Sequence, residues 1–212
     1  IFRGLPTKII TYDSDGSTHE VNNYYVNQGT NQVYQTGLTP IQVNAVQSLY
    51  AKNIINTPIL VEKRKDSEVI SKVRTIYRDL NSVIPNSKIV LHKIQSDKGE
   101  ESGSSFEDRV IYHEIDDFGR PTLVSLNKGT KTKYFYNSKN QVTMKIENYV
   151  AGAGGMLSDD IENLPIAAPC VYLDASGNPL PILVTIYKYD PDTDLLTEII
   201  DPKCDHLYYI YD

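Results

Sequence analysis

Four aspartates near the C-terminal end have the spacing that comes closest to a metal-binding chemistry. They occupy positions one, three, five and twelve of a stretch that imitates a calcium loop, where alternate carboxylates converge on one hard cation: Asp190, Asp192, Asp194 and Asp201. Leu195 occupies the sixth position, where a calcium loop needs glycine for its sharp turn. The stretch therefore favours an acidic β-turn, and calcium binding is the alternative that we keep for it.

Other residues of the types that catalyse reactions lack the partners that a reaction needs. Acidic groups that could act as the paired carboxylates of a glycoside hydrolase are equally typical of hairpin ends: Glu107-Asp108, and Glu114 with Asp116-Asp117. The histidines are scattered through expected strands: His19, His92, His113 and His206. No G-x-S-x-G elbow is present, and the glycine-rich segment 151–155 is not followed by the Lys-Ser/Thr of a phosphate loop. We therefore predict no catalytic residue, no cofactor and no enzyme activity.

Composition limits the class of partner and the class of structure. The 212 residues carry a net charge of −6, which argues against a partner with a nucleic-acid backbone. No apolar run approaches the ~20 residues of a membrane span. The chain has 16 tyrosines beside four phenylalanines and no tryptophan, and tyrosine suits the half-buried surface of a sheet. The sequence therefore predicts an all-β protein with partly solvated sheet faces.

The chain has two cysteines, Cys170 and Cys204, which permit one disulfide or remain two buried thiols. No C-x-x-C motif or Cys/His pairing points to zinc. Both alternatives for the pair stay open at the level of sequence.

The elements that must position these residues are mostly strands separated by turns. One helix is predicted at about 40–53, because Thr39 is a good N-cap, Pro40 suits the first helical position, and apolar residues then recur at helical spacing. Strands are predicted at 7–12, 19–26, 32–36, 58–65, 68–77, 87–96, 112–115, 121–126, 133–136, 181–189 and 206–211. Segment 97–105 is predicted to be a mobile loop, and 151–170 an insertion in which Ser158 could cap one helical turn that Pro165 ends.

One short unit recurs along the chain: a strand with tyrosine, then an acidic turn that tightens at glycine. The turn at 116–119 is followed 21 residues later by the turn at 137–140, and Asp190 precedes Asp212 by 22 residues. The predicted repeat residues are Tyr12, Asp13, Gly16, Tyr112, Asp116, Gly119, Tyr134, Tyr136, Asp174, Gly177, Tyr187, Tyr189, Asp190, Tyr209, Tyr211 and Asp212. A spacing in the low twenties is typical of stacked β-repeats, in which a single hairpin cannot bury its apolar face alone.

The unit Y-x-Y-D-x-x-G-x-[LP] at this spacing resembles the YD repeat of Rhs-type and teneurin-type proteins. Its closest match combines 187–191 with 209–212, and the block 106–121 resembles divergent YD-repeat surface proteins of Bacteroidetes-type bacteria. The likeness covers about 106–150 and 181–212 and is thin over 17–105. The chain departs from the pattern where asparagine or aspartate replaces the usual turn residue: Asn137, Asn140 and Asp194.

The resemblance implies a structural role, because the shells of this family are long β-sheets that spiral into a hollow cocoon, often around a C-terminal toxin. It implies four segments: 1–105 as a divergent β-rich part with the helix, 106–150 as YD-like repeats, 151–170 as the insertion, and 171–212 as truncated YD-like repeats. Because Ile1 is not methionine and the chain stops inside a repeat, we expect a piece of a longer polypeptide.

We therefore expect a non-catalytic structural segment of a secreted or surface-exposed bacterial protein. Its expected partners are the rest of the same polypeptide or an adjoining β-sheet, and an enclosed toxin domain. The alternative function is a cell-surface adhesin or glycan-binding module that uses exposed tyrosines.

The tyrosines bear directly on these two alternatives. A Tyr-x-Tyr sequence places two rings on one face of a strand, where they can stack on the rings of the next repeat or on a sugar. Recurrence in successive repeats favours the ladder of rings, because a sugar site would need its rings at one place.

Overall fold

The computed structural model describes residues 4–26, 38–80, 88–97, 106–127, 129–149, 166–167, 170–173 and 176–211. These residues form mainly antiparallel β-structure with one short helix, which confirms the predicted all-β fold class. The chain divides into two compact units: Ile1–Tyr112 with Leu126–Lys128, and His113–Ser125 with Gly129–Asp212. We call these the first and the second unit and describe each by itself.

The first unit is an antiparallel meander in which each strand pairs with the next along the chain. Its strands are β1 (Lys8–Tyr12), β2 (Thr18–Tyr25), β3 (Pro58–Lys65), β4 (Glu68–Asp79), β5 (Ile89–Asp97) and β6 (Glu107–Ile115), the last of which belongs to this unit through Tyr112. The turn between β3 and β4 shows how sequence specifies a hairpin. Asp66 and Ser67 both have positive φ, 47° and 72°, as a two-residue hairpin loop with the twist of its strands requires.

Helix α1 (Pro40–Ala51) lies in the first unit and confirms the predicted helix. Thr39 and Gln42 form a capping box: the Thr39 Oγ1 accepts from the Gln42 N–H at 3.4 Å, and the Gln42 Oε1 accepts from the Thr39 N–H at 2.9 Å. The helix buries one apolar face, Ala45, Val46 and Leu49. Val46 and Leu49 share a core cluster with residues of the loop after β2 and of β3: Val26, Ile59 and Leu60.

The second unit contains a further antiparallel meander with one separate two-stranded pair. The meander follows the order β7 (Pro121–Leu126), β8 (Lys131–Tyr136), β9 (Val142–Tyr149), β12 (Leu183–Tyr189), β13 (Leu196–Ile200) and β14 (His206–Tyr208). The separate pair is β10 (Ile166–Ala167) and β11 (Val171–Tyr172). A core cluster of strand residues, Leu123, Met144, Ile146 and Val184, packs with Tyr172 and Ile182 from the segment that precedes β12.

Most of the predicted strands are present with small shifts at their ends. Strands β3 and β7 have the predicted bounds, whereas β9 and β13 were not predicted as separate strands. The predicted strand at 206–211 ends at Tyr208, and Asp97 belongs to β5 rather than to the predicted loop. The rest of that loop, the predicted strand at 32–36, and the predicted helical turn at 158–165 lie outside the described residues, and of the insertion at 151–170 only 166–167 and 170 are described. The predicted segment boundaries remain predictions.

The predicted absence of a membrane span can be compared with the helix of the described residues. Among the described residues, no helix combines the length and the hydropathy that crossing a bilayer requires.

Candidate functional site

Five turns share one hydrogen-bonding pattern, one of them in the first unit and four in the second. The first residue of each turn accepts a backbone hydrogen bond through its carbonyl, and its own N–H donates to the carbonyl of the residue directly before the next strand. The first residues are Asp13, Asp116, Asn137, Asp190 and Asp201. At the turn that begins with Asp116, the Gly119 N–H donates to the Asp116 carbonyl and the Asp116 N–H donates to the Arg120 carbonyl, both at 3.0 Å.

The residue that tightens each turn has a left-handed backbone. This residue is Gly16 (φ 87°), Gly119 (φ 86°), Asn140 (φ 66°), Asp194 (φ 62°) or Cys204 (φ 67°). Glycine adopts this conformation without steric cost, and asparagine and aspartate tolerate it better than most other residues. The replacements Asn140 and Asp194 therefore preserve the left-handed position, although the turn that ends at Asp194 contains one more residue than the others.

The side chain of the first residue closes each of the second unit's turns from within. The Asp116 Oδ1 accepts from the N–H groups of Phe118 and Arg120, both at 2.9 Å. The Asn137 Oδ1 likewise accepts from two N–H groups of its own turn, and so does the Asp201 Oδ1. Burial acts to raise the pKa of Asp116, but hydrogen bonds from the backbone and side chain of Arg120 outweigh it and lower that pKa. Asp116 therefore acts as an ionised cap for the backbone N–H groups of its turn.

Two of the calcium candidates, Asp190 and Asp201, also cap turns, and the candidates do not converge on one point. The Asp190 Oδ1 accepts from the backbone N–H and the hydroxyl of Thr193, and these bonds lower the pKa of Asp190. Asp194 forms an ion pair with Lys139, whereas Asp201 caps the next turn along the chain. In the described part of the chain, no three His, Cys, Asp or Glu side chains are grouped in a way that could hold a metal ion.

A tyrosine directly before a turn ties each repeat to the preceding strand of the meander. The Tyr136 hydroxyl donates to the carbonyl of Pro121 at 2.9 Å, and Pro121 is the first residue of β7. The Tyr189 hydroxyl donates at 2.9 Å to the carbonyl of Val142, the first residue of β9. We call each such hydrogen bond a tyrosine clamp.

A third tyrosine clamp has the same geometry. The Tyr211 hydroxyl donates at 2.8 Å to the carbonyl of Leu196, the first residue of β13. In all three clamps, the acceptor is the residue that opens a strand directly after a turn. Tyr136 and Tyr189 are also the last residues of β8 and β12, directly before the next turn. A tyrosine next to the first residue of a turn thus lies where its hydroxyl can bond to the carbonyl that opens the neighbouring strand.

Arg120 connects the first two of these turns in the second unit. Its Nε donates to the Asp116 Oδ2 at 2.6 Å, and its Nη1 donates to the Asn137 carbonyl at 3.2 Å and to the Asn140 Oδ1 at 2.9 Å. Its guanidinium lies over the Tyr136 ring, 4.5 Å from the centroid. One planar cation therefore joins two turns and the tyrosine between them.

The next pair of turns is joined by Lys139 and Gln141. The Lys139 ammonium donates to the Pro191 carbonyl at 3.1 Å and forms an ion pair with the Asp194 carboxylate. The Gln141 Nε2 donates to the Asp194 carbonyl at 2.8 Å. A cavity of about 270 Å³ between these two turns is lined by residues of both, and by the ring of Tyr189.

The remaining predicted repeat residues have different environments. Tyr12 is 74% exposed, Tyr172 is buried in the core of the second unit, and Gly177 has a φ of 80°. Tyr112 lies within β6, and the residue directly before Asp116 is an isoleucine rather than a tyrosine. Tyr134 and Tyr187 are half-buried and Tyr209 is exposed, whereas Asp174 and Asp212 lie outside the described residues.

The predicted stacking of tyrosine rings between repeats is wrong for the described residues. The stacked ring pair found there is His206 with Tyr208, at 5.9 Å between centroids. The hydroxyls, rather than the ring faces, connect neighbouring strands in the clamps. The hydroxyl is a directional donor that can satisfy a strand-opening carbonyl, whereas ring stacking leaves that carbonyl without this bond.

Like Asp116, three other carboxylates considered as catalytic pairs have a cationic partner. Asp108 pairs with Lys93 at 2.9 Å, Glu107 pairs with Arg109 at 3.1 Å, and Glu114 pairs with Lys133.

The histidines contact residues of nearby turns and strands. The His19 Nε2 lies 2.8 Å from the Asp13 Oδ2, and the His113 Nε2 lies 2.9 Å from the Ser125 Oγ. The His92 Nδ1 lies 3.4 Å from the Tyr112 carbonyl oxygen, and His206 contacts the Glu198 carboxylate. Ser125 is buried within β7, so its contact with His113 lies inside a hairpin.

Cys170 and Cys204 form a disulfide with 5.7 Å between their Cα atoms, so the alternative of two free thiols does not hold. The bridge spans 34 residues of sequence. It begins beside β11 and ends in the turn between β13 and β14, both in the second unit.

Comparison with known proteins adds no family assignment to this geometry. No protein-family model matches the chain, and no curated protein shows significant sequence similarity to it.

Proposed function

We propose that this chain is a non-catalytic structural segment of a secreted or surface-exposed YD-repeat protein, where it forms part of a β-shell able to enclose a cargo or toxin domain. The observation that carries the proposal is the tyrosine clamp, which recurs at Tyr136, Tyr189 and Tyr211 and each time has the residue that opens a strand as its acceptor. A recurring bond between neighbouring strands is what a repeat scaffold needs, because each repeat is stabilised by its neighbours.

The contacts between turns support the same function. Arg120 donates hydrogen bonds to the turns at Asp116 and Asn137. Lys139 and Gln141 donate hydrogen bonds to the turn that ends at Asp194. Polar side chains committed to neighbouring turns stabilise a sheet, whereas an active site needs such groups free to meet a substrate.

The disulfide supports the proposed location. Bridges such as Cys170–Cys204 form and persist in oxidising compartments, which include the cell exterior and the bacterial periplasm. A cytosolic protein with ordinary reducing surroundings would keep these residues as thiols.

Glycan binding remains the second candidate, because Tyr208 is 65% exposed and stacks with His206. An exposed aromatic face can pack against a sugar ring. The clamps favour the structural candidate over this one, since their hydroxyls are already bonded to backbone carbonyls.

Two measurements test the proposal. Antibody labelling and protease treatment of intact producing cells should detect the chain outside the cytoplasmic membrane, and detection only after lysis would contradict the proposed location. A glycan array with the purified chain should give no signal above that of Tyr208→Ala. A specific signal that Tyr208→Ala abolishes would replace the structural proposal with the glycan-binding one.

A further inference from the structure

The second unit carries a segment that lies on its apolar core and is attached to a distant turn by one covalent bond. We call residues 170–173 and 176–182 the covering segment. Tyr172 and Ile182 of this segment are buried, and Leu180 packs on the same cluster. Their partners are strand residues of β7, β9 and β12: Leu123, Ile146 and Val184.

Two backbone interactions lie within the covering segment and join its two described parts. The Leu180 N–H donates to the Tyr172 carbonyl at 2.8 Å, and Leu173 forms a bridge with Pro179. Strand β11 pairs with β10, which is not part of the meander. The two described parts of the segment thus pair with each other, and its contacts with the rest of the second unit include the apolar side chains of Tyr172, Leu180 and Ile182 and the disulfide at Cys170.

The other end of the disulfide lies in a turn that does not need a cysteine. Cys204 occupies the left-handed position that Gly119 and Asn140 occupy in the equivalent turns. The Asp201 Oδ1 still accepts from the N–H groups of Lys203 and Asp205, and these bonds do not involve sulfur. The turn is thus an independent anchor, and loss of the bridge releases the covering segment from it.

We infer that the Cys170–Cys204 disulfide is a redox-sensitive latch that holds the covering segment over the apolar face of the second unit. Both cysteines are half-buried, so a small thiol reagent can reach the bridge. A dithiol delivers two electrons and two protons: its thiolate attacks one sulfur to form a mixed disulfide, and its second thiol displaces the protein sulfur. The products are two protein thiols and the oxidised dithiol. Release of the covering segment then exposes the apolar residues beneath it.

Hydrogen–deuterium exchange of the complete chain tests the latch, with dithiothreitol as the reductant. We expect amides at 176–182 to exchange at least about tenfold faster after reduction, and those of β9, β12 and β13 to stay within about twofold. Peptides from the β3–β4 hairpin, in the first unit, serve as the internal reference. Binding of an apolar fluorescent dye should rise with exchange, and reoxidation should reverse both effects.

Two variants separate the bridge from the residues that form it. Cys204→Asn keeps a residue suited to the left-handed turn, and Cys170→Ser removes the other sulfur. Both should show the fast exchange of the reduced chain without added reductant and should no longer respond to dithiothreitol. Unchanged exchange after reduction would overturn the inference. Loss of protection throughout β9, β12 and β13 would also overturn it, because the bridge would then support the whole sheet rather than latch one segment.

Discussion

The Tyr189 hydroxyl donates a hydrogen bond to the backbone carbonyl of Val142 across 2.9 Å. Val142 opens β9, directly after the turn that begins with Asn137, and Tyr189 ends β12, directly before the turn that begins with Asp190. The bond therefore connects the exit of one turn with the entry of the next across an antiparallel strand pair. Burial raises the pKa of Tyr189, which keeps its hydroxyl protonated as a donor.

Removal of the clamp hydroxyls should destabilise the second unit without changing its shape. Tyr136→Phe and Tyr189→Phe should each lower the free energy of unfolding by about 0.5–1.5 kcal/mol, the net value of one hydrogen bond. Urea unfolding followed by tyrosine fluorescence and circular dichroism measures this difference. Tyr12→Phe is the matched control, because its ring is 74% exposed, and it should change stability by less than about 0.5 kcal/mol. Equal losses in all three variants would mean that the clamps contribute nothing specific.

Substitution of Gly119 should reveal the cost of the left-handed turn. A Cβ at Gly119 would meet no heavy atom within 4 Å, so the Cβ itself does not clash, and the cost of adding it comes from the backbone at φ +86°. Gly119→Val should cost about 1–3 kcal/mol, the range for a strained backbone conformation. Gly119→Asn should cost clearly less, because Asn140 holds the same conformation in the next turn. Indistinguishable denaturation midpoints for the valine and asparagine variants would refute this explanation.

The turn pattern was the part of the structure most accessible from sequence. Asp and Gly at fixed spacing dictate local backbone conformation, so the turns at Asp116 and Asn137 could be recognised without tertiary information. The helix was equally accessible, since Thr39 and Pro40 supply a local start signal. Strands β9 and β13 were missed because no turn dipeptide bounded them clearly.

The role of the tyrosines could not be read from the same pattern. Tyrosine spacing shows that rings recur on one face, but the carbonyl that each hydroxyl reaches depends on strand register. The turn at Asp201 was also missed, because isoleucine precedes it and Cys204 occupies the position where glycine was expected. Its aspartate was considered only as the twelfth position of a possible calcium loop, which was kept as the alternative to an acidic β-turn. A search for an acidic residue three positions before any residue tolerant of positive φ would match many other segments as well, so it could not single out this turn.

A double-mutant cycle should detect the bridge that Arg120 makes between two turns. Arg120→Ala removes the donor, and Asn140→Gly removes the acceptor oxygen while keeping a residue suited to φ 66°. The two substitutions should couple by about 0.5–1.5 kcal/mol, because they remove the same hydrogen bond. Arg120→Ala combined with Thr193→Ala, which lies in the following turn, should be additive within about 0.5 kcal/mol. Additivity of both pairs in urea unfolding would show that the turns fold independently.

The last prediction concerns acid stability and the carboxylate of Glu198, on β13. Lys188 of β12 pairs with one oxygen of Glu198 at 2.7 Å, and His206 of β14 contacts the other. The hydrogen bond from Lys188 and that from His206 lower the pKa of Glu198 to about 2. Since its folded pKa lies below the ordinary value of 4.5, the ionised group stabilises the fold above about pH 4.5, and this contribution is lost as the pH falls toward 2.

Glu198→Gln should therefore be less stable than the parent chain at pH 7. The difference should shrink steadily between about pH 4.5 and pH 2, because protonated glutamate and glutamine have nearly the same shape and charge. Urea midpoints measured at half-unit steps from pH 7 to pH 2 give the difference curve, and subtraction of the two curves removes the effect of the other carboxylates. Glu68→Gln, at an exposed position of β4, is the control for loss of one negative charge. A difference that stays constant down to pH 2 would show that Glu198 stabilises the fold through its shape rather than through its charge.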